Sequence, residues 1–136
     1  MRKEELLDFA SYLHGHLGPF LVLGLKAGLL ANKLIGRDPM GNLVRVYLPM
    51  RRPYTCFLDG VQVATGCTLG KLNIKVFEAT NEIRMEICGS KASLVIEVKK
   101  EILKEILESF KSIPMEEEAL KIWNREDSCL FTWKML

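Results

Sequence analysis

Apolar residues recur every three or four positions along several segments of the chain, as they do on the buried face of a helix. Residues 3–13 show this spacing and predict a first helix. A second helix should begin at Pro19, because proline is well tolerated in a first helical turn, where no backbone N–H is needed. We expect this helix to run to about Leu34 and to end at Gly36.

Three further segments show helical spacing in the rest of the chain. Residues 56–65 carry three apolar residues at this spacing, although Gly60 weakens the prediction. Between Val98 and Phe110 an apolar residue recurs at every fourth position, opposite a run of lysine and glutamate, which predicts an amphipathic helix with a solvated charged face. A last helix should start at Pro114, and the glutamates that follow it complement the helix dipole.

Alternating apolar and polar residues, rich in β-branched and aromatic side chains, predict strands in four places. The predicted strands cover residues 43–48, 72–78, 82–88 and 93–97. Both tryptophans, Trp123 and Trp133, should pack against the domain. This order of elements fits a single α+β domain over residues 1–136, with helices packed on a mostly antiparallel sheet.

A row of small residues lies along one side of the second predicted helix. Gly24, Gly28 and Asn32 fall four residues apart, and a glycine inside a helix costs about 1 kcal/mol relative to alanine. Close approach of another backbone would compensate for this cost. We therefore expect the helix to pack tightly on a sheet or on a partner subunit, and the second alternative predicts a homodimer.

Length and composition are those of an ordinary globular domain. The chain has 136 residues, of which 49% are hydrophobic and 26% charged, and its net charge of +2 does not favour nucleic acid as a partner. The most apolar segment, residues 17–31, is interrupted by Lys26 and is too short to span a membrane. The charged start is not a secretory signal, and the four cysteines contain no Cys-x-x-Cys pair. These features predict a cytoplasmic protein with free thiols.

Two elements of the chain carry side chains that bind metals well. One is His14-Gly15-His16, which contains both histidines, and the other is Cys56 followed eleven residues later by Cys67. Imidazole and thiolate are the usual ligands of zinc, and they also bind nickel and iron. If the fold joins the two elements, the predicted cofactor is a divalent metal, zinc in the first place.

Geometry limits how these four residues can share one metal. Histidines two residues apart in an extended loop point in opposite directions, although Gly15 relaxes this limit. Cys56 should lie near the start of its helix, where backbone N–H groups stabilise a thiolate, and Cys67 just past its end. A ten-residue helix is about 15 Å long, so both cysteines reach one metal only if the helix is short or bent. The alternative is a capping histidine, a packed histidine and two structural thiols.

Several polar residues around the cysteines are further candidates. Asp59 is either a helix-start carboxylate with no further role, or it orients a histidine ligand or acts as a general base. Arg51, Arg52 and Lys71 flank the two cysteines and could hold a small anionic ligand such as a carboxylate or phosphate. Exposed loop cations of this kind are more often simply solvated.

Two longer motifs lie in the first half of the chain. The first spans residues 13–24 and contains His-Gly-His, and the second spans residues 59–73 and contains Asp-Gly-Val-Gln, Thr-Gly-Cys-Thr and Gly-Lys-Leu-Asn. In this order they resemble the E-type subunit family of formylmethanofuran dehydrogenase, and Cys56 stands where that family has its first cysteine. The resemblance implies a dimeric α+β domain with a metal near both motifs. It assigns roles to His14, His16, Cys56, Asp59, Gln62, Thr65, Cys67 and Lys71.

The candidates for each role can be separated. The metal candidates are His14, His16, Cys56 and Cys67. The catalytic candidates are Cys67 and Asp59. The candidates for binding a cofactor or a small anion are Arg51, Gln62, Thr65 and Lys71.

Two departures from the family pattern limit what the resemblance implies. Many members have a cysteine at the position of Gly18, so one candidate ligand is missing here. Many also carry a cysteine-rich zinc ribbon after the core domain, whereas Cys129 is the only cysteine in the tail of this chain. We therefore expect this chain to lack the ribbon and any docking that requires it.

Three hypotheses about function follow. The first is a metal-binding domain with an accessory or redox-associated role in one-carbon metabolism, within a larger oxidoreductase complex, because the family is associated with molybdenum or tungsten enzymes that reduce carbon dioxide onto methanofuran. The second is a stand-alone enzyme that uses a thiolate or a metal-bound water on a small anionic substrate. The third is a dimeric binding module without catalysis, whose glycine-faced helix forms the subunit interface.

Overall fold

A five-stranded sheet organises the fold in the computed structural model, which describes residues 1–136. Its strands are β1 (Leu43–Leu48), β2 (Ile74–Glu78), β3 (Arg84–Cys88), β4 (Ser93–Val98) and β5 (Phe131–Met135). The strand order is β2-β1-β3-β4-β5. β2 pairs in parallel with β1, and every other neighbouring pair is antiparallel. The prediction of a mostly antiparallel sheet is therefore confirmed.

Burial alternates along the central strands, where one side chain is buried and the next is only half-buried. This alternation means that one face of the sheet is covered and the other faces solvent. Val46 on β1, Ile87 on β3 and Ile96 on β4 point to the covered face and join the main hydrophobic core. The predicted α+β architecture is confirmed.

Six helices accompany the sheet. They are α1 (Lys3–His14), α2 (Pro19–Ile35), α3 (Cys56–Thr65), α4 (Lys100–Ser109), α5 (Met115–Trp123) and α6 (Asp127–Leu130). The predicted end of the second helix is confirmed, because Gly36 has a φ of 87° and its N–H donates to the carbonyl of Asn32. None of these helices has both the length and the apolar character that a membrane span requires.

Two parts of the chain differ from the predicted pattern. Leu72 ends a 3-10 turn with a φ of 59°, and because a left-handed residue does not fit an extended strand, β2 begins only at Ile74. At the end of the chain, α6 and β5 were not predicted. β5 is an edge strand whose Phe131 pairs with Val98 of β4, and Trp133, expected to pack on the domain, is still 40% exposed.

The glycine row of α2 is used inside the chain, against α3. A methyl group added at Gly24 would overlap the carbonyl oxygen of Phe57, and one added at Gly60 would overlap the carbonyl oxygen of Leu21. Backbone therefore touches backbone, which only glycine permits at this spacing. The expected tight packing is present within one chain, and these glycines give no support for a subunit interface.

Lys26 fixes α5 to α2. Its ammonium group donates hydrogen bonds to the carbonyls of Trp123 (2.9 Å) and Arg125 (2.6 Å) at the end of α5. Burial lowers the pKa of Lys26, and the nearby Asp127 carboxylate partly offsets this shift. With the end of α5 held there, its first residue, Met115, reaches the start of α2.

We expect Gly60→Ala to lower the free energy of unfolding by about 1–3 kcal/mol, the usual cost of overpacking a core. The added methyl group would meet backbone atoms of Leu21 and Leu25, which cannot move aside as a flexible side chain can. The loss offsets the ~1 kcal/mol that alanine gains over glycine inside a helix. Urea unfolding measures the change. Gly70→Ala is the control, since its methyl group would meet only the Thr68 hydroxyl at 4.0 Å, and equal stability of the two variants would contradict the close packing.

Candidate functional site

The turn between α1 and α2 brings both histidines together. Gly15 follows His14 with a φ of 100°, in the left-handed region, and its N–H caps α1 by donating to the carbonyl of Ser11. Such a conformation favours glycine and reverses the chain within a few residues. As a result, the rings of His14 and His16 lie side by side, with 4.8 Å between their centroids.

His14 is paired with Asp59, which lies in the first turn of α3. The Nδ1 atom of His14 and the Oδ2 atom of Asp59 are 2.6 Å apart, and the His14 side chain is only 12% exposed. A carboxylate can only accept, so Nδ1 donates, and in the neutral ring this leaves the lone pair on Nε2. The Nε2 atom is buried and has no hydrogen-bond partner. A buried polar atom without a partner is costly and indicates a missing ligand or water.

A small cavity of about 10 Å³ lies beside these histidines. It is lined by His14, His16, Gly18, Pro19, Phe20, Leu21, Pro53, Cys56, Phe110 and Met115. This volume matches roughly one water molecule, for which about 10–15 Å³ is needed. The cavity is therefore of the size of a single ion or water, with imidazole and thiol groups among mostly apolar walls.

Cys56 is the first residue of α3 and is half-buried at this cavity. Burial raises the pKa of its thiol, the negative charge of Asp59 raises it further, and Arg52 opposes the shift only in part. The sequence predicted a thiolate stabilised by the start of the helix. The structure differs, because desolvation and the neighbouring carboxylate outweigh the helix terminus.

Cys67 lies beyond the other end of α3 and does not line the cavity. It is fully buried, and its thiol donates to the carbonyl of Asn42 at 3.5 Å. Burial raises the pKa of this thiol, although the hydrogen bond with Thr65 acts in the opposite direction. The structure does not bring Cys67 together with the histidines, and its position gives no support to a shared metal or to a nucleophilic role.

Thr65 and Lys71 shape the turn that follows α3. The Thr65 hydroxyl donates to the carbonyl of Val61 (2.7 Å) and accepts from the N–H of Cys67 (3.1 Å). The Lys71 ammonium donates to the carbonyl of Gly66 at 2.6 Å. Both residues thus satisfy backbone groups at the end of the helix, as such polar groups must be.

Gln62 and Arg51 are also apart from the cavity lining. Gln62 accepts a hydrogen bond from the N–H of Leu69 at 3.0 Å and so ties α3 to the following turn. Arg51 is exposed, and its guanidinium group lies over the ring of Tyr54, 5.1 Å from the centroid. The structure therefore groups His14, His16, Cys56 and Asp59, and it places the remaining candidates elsewhere around α3.

The far side of the cavity comes from residues that the motifs did not reveal. Phe110 and Met115 belong to the second half of the chain and close the cavity opposite the histidines. Glu118, one helical turn after Met115, is fully buried, and neither of its carboxylate oxygens has a partner. From sequence it was grouped with its neighbours as a solvated carboxylate at a helix start, and only tertiary packing reveals its burial.

The donor atoms are not yet arranged as a complete metal site. No three histidine, cysteine, aspartate or glutamate side chains are spaced to hold an ion together. His14 is fixed by Asp59, whereas His16 is exposed and can turn about its side-chain bonds. Only His14 is therefore held in one orientation.

The fold and the site define a class of protein, namely a small α+β domain in which a histidine–aspartate pair and a cysteine meet at an ion-sized cavity. A family model described as FmdE, molybdenum formylmethanofuran dehydrogenase operon, matches residues 13–127. The chain belongs to this family. The match includes both sequence motifs and confirms the predicted resemblance.

A curated relative shares part of this sequence. It is a protein of Archaeoglobus fulgidus named as a probable S-adenosyl-L-methionine-binding protein, and it is 41% identical over 68 residues. The match covers 48% of this chain and 19% of the relative. The chain thus spans about a fifth of that protein, whose name describes a much longer molecule.

The four cysteines should differ sharply in their rate of alkylation near neutral pH. Cys129 is exposed and should react first with iodoacetamide, whereas Cys67 should react only when the chain unfolds. The reason is that Cys67 is fully buried and its raised pKa leaves less of the reactive thiolate. Mass spectrometry of partly alkylated, metal-free protein measures the order. Rapid labelling of Cys67 in the folded protein would contradict its placement.

Proposed function

We propose that this domain binds one divalent metal ion, zinc in the first place, at the cavity between the α1–α2 turn and the start of α3. The ligands would be His14 through Nε2, Cys56 and, after rotation of its side chain, His16. The observation that carries this proposal is the buried Nε2 atom of His14, which has no partner while Asp59 holds the ring through Nδ1.

The pairing of His14 with Asp59 supports this proposal. Metal-ligating histidines usually donate their second ring N–H to a carboxylate or carbonyl group, which fixes the orientation of the ring. Cys56 adds a soft donor at the same cavity, and a mixed set of imidazole and thiolate suits zinc. Because the pKa of Cys56 is raised and the metal requires a thiolate, zinc affinity should increase with pH.

Three protein ligands would leave a fourth position on the metal. A bound zinc ion with such an open position can polarise a water molecule or a carbonyl group. Gly18 leaves space there, because even a methyl group at this residue would approach His16 to 3.0 Å. The apolar walls around Phe20 and Phe110 would keep bulk water away from the donors.

The biological setting we propose is an accessory or redox-associated role in one-carbon metabolism, beside a larger molybdenum or tungsten oxidoreductase. Family membership supports this role. An apolar stripe on the outer side of α1, formed by Phe9, Tyr12 and Leu13, is exposed next to His14 and suits a protein partner or a second copy of the chain. A cytoplasmic homodimer remains our prediction.

We expect the purified protein to bind about one zinc ion per chain, and Cys56→Ser to weaken this binding by about tenfold or more, because a thiolate ligand is lost. Competition with a chromophoric chelator, combined with elemental analysis, measures affinity and stoichiometry. Cys67→Ser is the matched control and should leave the zinc affinity unchanged. The reverse result, with zinc lost from Cys67→Ser and retained by Cys56→Ser, would place the site at the other end of α3.

Asp59→Asn should lower the zinc affinity by about 10–100-fold, the usual effect of removing a carboxylate that supports a histidine ligand. The fold should persist, because the Asp59 side chain is 37% exposed and α3 is anchored by its buried face. Asp8→Asn, at an exposed position of α1, is the control. Unchanged zinc affinity in Asp59→Asn would reduce the histidine–aspartate pair to a structural contact.

A further inference from the structure

A second, larger cavity lies along α4 and is unrelated to the sequence motifs. Its volume is about 420 Å³, within the range of roughly 300–1,000 Å³ that small-molecule sites have. We call it the lysine groove, and it is lined by Tyr54, Asn81, Lys100, Leu103, Lys104, Leu107, Glu108 and Lys111. Its lining therefore combines an apolar floor with charged rims.

The charges of the lysine groove are unbalanced. Lys100, Lys104 and Lys111 stand against the single carboxylate of Glu108. None of these three lysines forms an ion pair, whereas arginines elsewhere in the chain do. Arg51, over the ring of Tyr54, adds a further unpaired cation beside the groove. Converging cations on a concave surface raise the local concentration of anions.

The floor of the groove is apolar and continuous with the core. Leu103 is 7% exposed and belongs to the main hydrophobic core, and Leu107 packs against it. The hydroxyl of Tyr54 and the amide of Asn81 form no hydrogen bonds within the chain, so both are free to bind a polar group. A ligand that fits this surface needs an apolar body and at least one negative group.

Tyr54 forms the wall between the lysine groove and the candidate metal site. Its ring packs edge-on against Phe20, with 5.3 Å between centroids. Phe20 and the neighbouring residue Pro53 both line the small cavity of the histidines. A molecule in the groove would thus lie one layer of side chains away from Cys56.

We propose that the lysine groove is a binding site for a small amphipathic organic anion. The apolar part of the anion would cover Leu103, Leu107 and the Tyr54 ring, and its carboxylate, phosphate or sulfonate group would accept hydrogen bonds from the lysines. This site differs from the anion site predicted at Arg51 and Lys71, since Lys71 is engaged by Gly66 and lies after α3. The proposal does not rest on metal binding, and the site should form in metal-free protein.

The test uses the full metal-free chain and 8-anilinonaphthalene-1-sulfonate as the probe, an aromatic anion of suitable size. Fluorescence titration gives its affinity, and amide shifts in nitrogen-15 spectra locate it. We expect shifts confined to the lining of the groove, and binding weakened about tenfold by Lys104→Glu through loss of a charge-assisted hydrogen bond. Lys121→Glu, an equal charge change at an exposed position of α5, should alter the affinity less than about twofold.

Each alternative result overturns part or all of the proposal. Equal weakening by Lys104→Glu and Lys121→Glu would mean that only net charge attracts the probe. Shifts on the outer side of α1 would place the probe on the exposed stripe there. If inorganic sulfate bound as tightly as the aromatic sulfonate, the apolar floor would have no role. Urea unfolding of both lysine variants excludes loss of folding as the cause of weaker binding.

Discussion

The direct contact between the backbones of α2 and α3 is the constraint on which the candidate site depends. Gly24 and Gly60 let the helices approach until carbonyl oxygens occupy the space where side chains would stand. Asp59 precedes Gly60, and α2 begins directly after the turn that carries the two histidines. The packing of the helix pair therefore also sets the distance between carboxylate and imidazole. The site takes its geometry from the core rather than from its own polar contacts.

The two ends of α3 serve different purposes, although the family motif runs through both. Cys56 and Asp59, at the start of the helix, lie with the histidines, whereas Thr65 and Lys71 satisfy the carbonyls near its end. A straight helix of ten residues separates its ends by about 15 Å, so one small ligand cannot touch both. A motif can thus combine residues selected for chemistry with residues selected for a turn, and their spacing in sequence does not separate them.

The sequence predicted the helices well because their apolar spacing is a direct record of burial, as in α2 and α4. It did not predict β5, whose stability comes from pairing with β4 rather than from a pattern of its own. At the site, residue types alone identified His14 and Asp59, but their pairing across 45 positions requires the fold. For Cys56, the helix-start argument predicted a stabilised thiolate, and burial beside a carboxylate gave the opposite shift.

The attachment of α1 has a consequence for access to the cavity. Ala10 is the only buried residue of this helix, while Phe9, Tyr12 and Leu13 are exposed. A helix with so little buried surface opens at a lower free-energy cost than the core beneath it. Since His14 ends α1, each opening would part the imidazole from Asp59 while the sheet and the α2–α3 pair stay intact. The residence time of anything held there would then follow the fraying of one peripheral helix, not the global stability of the domain.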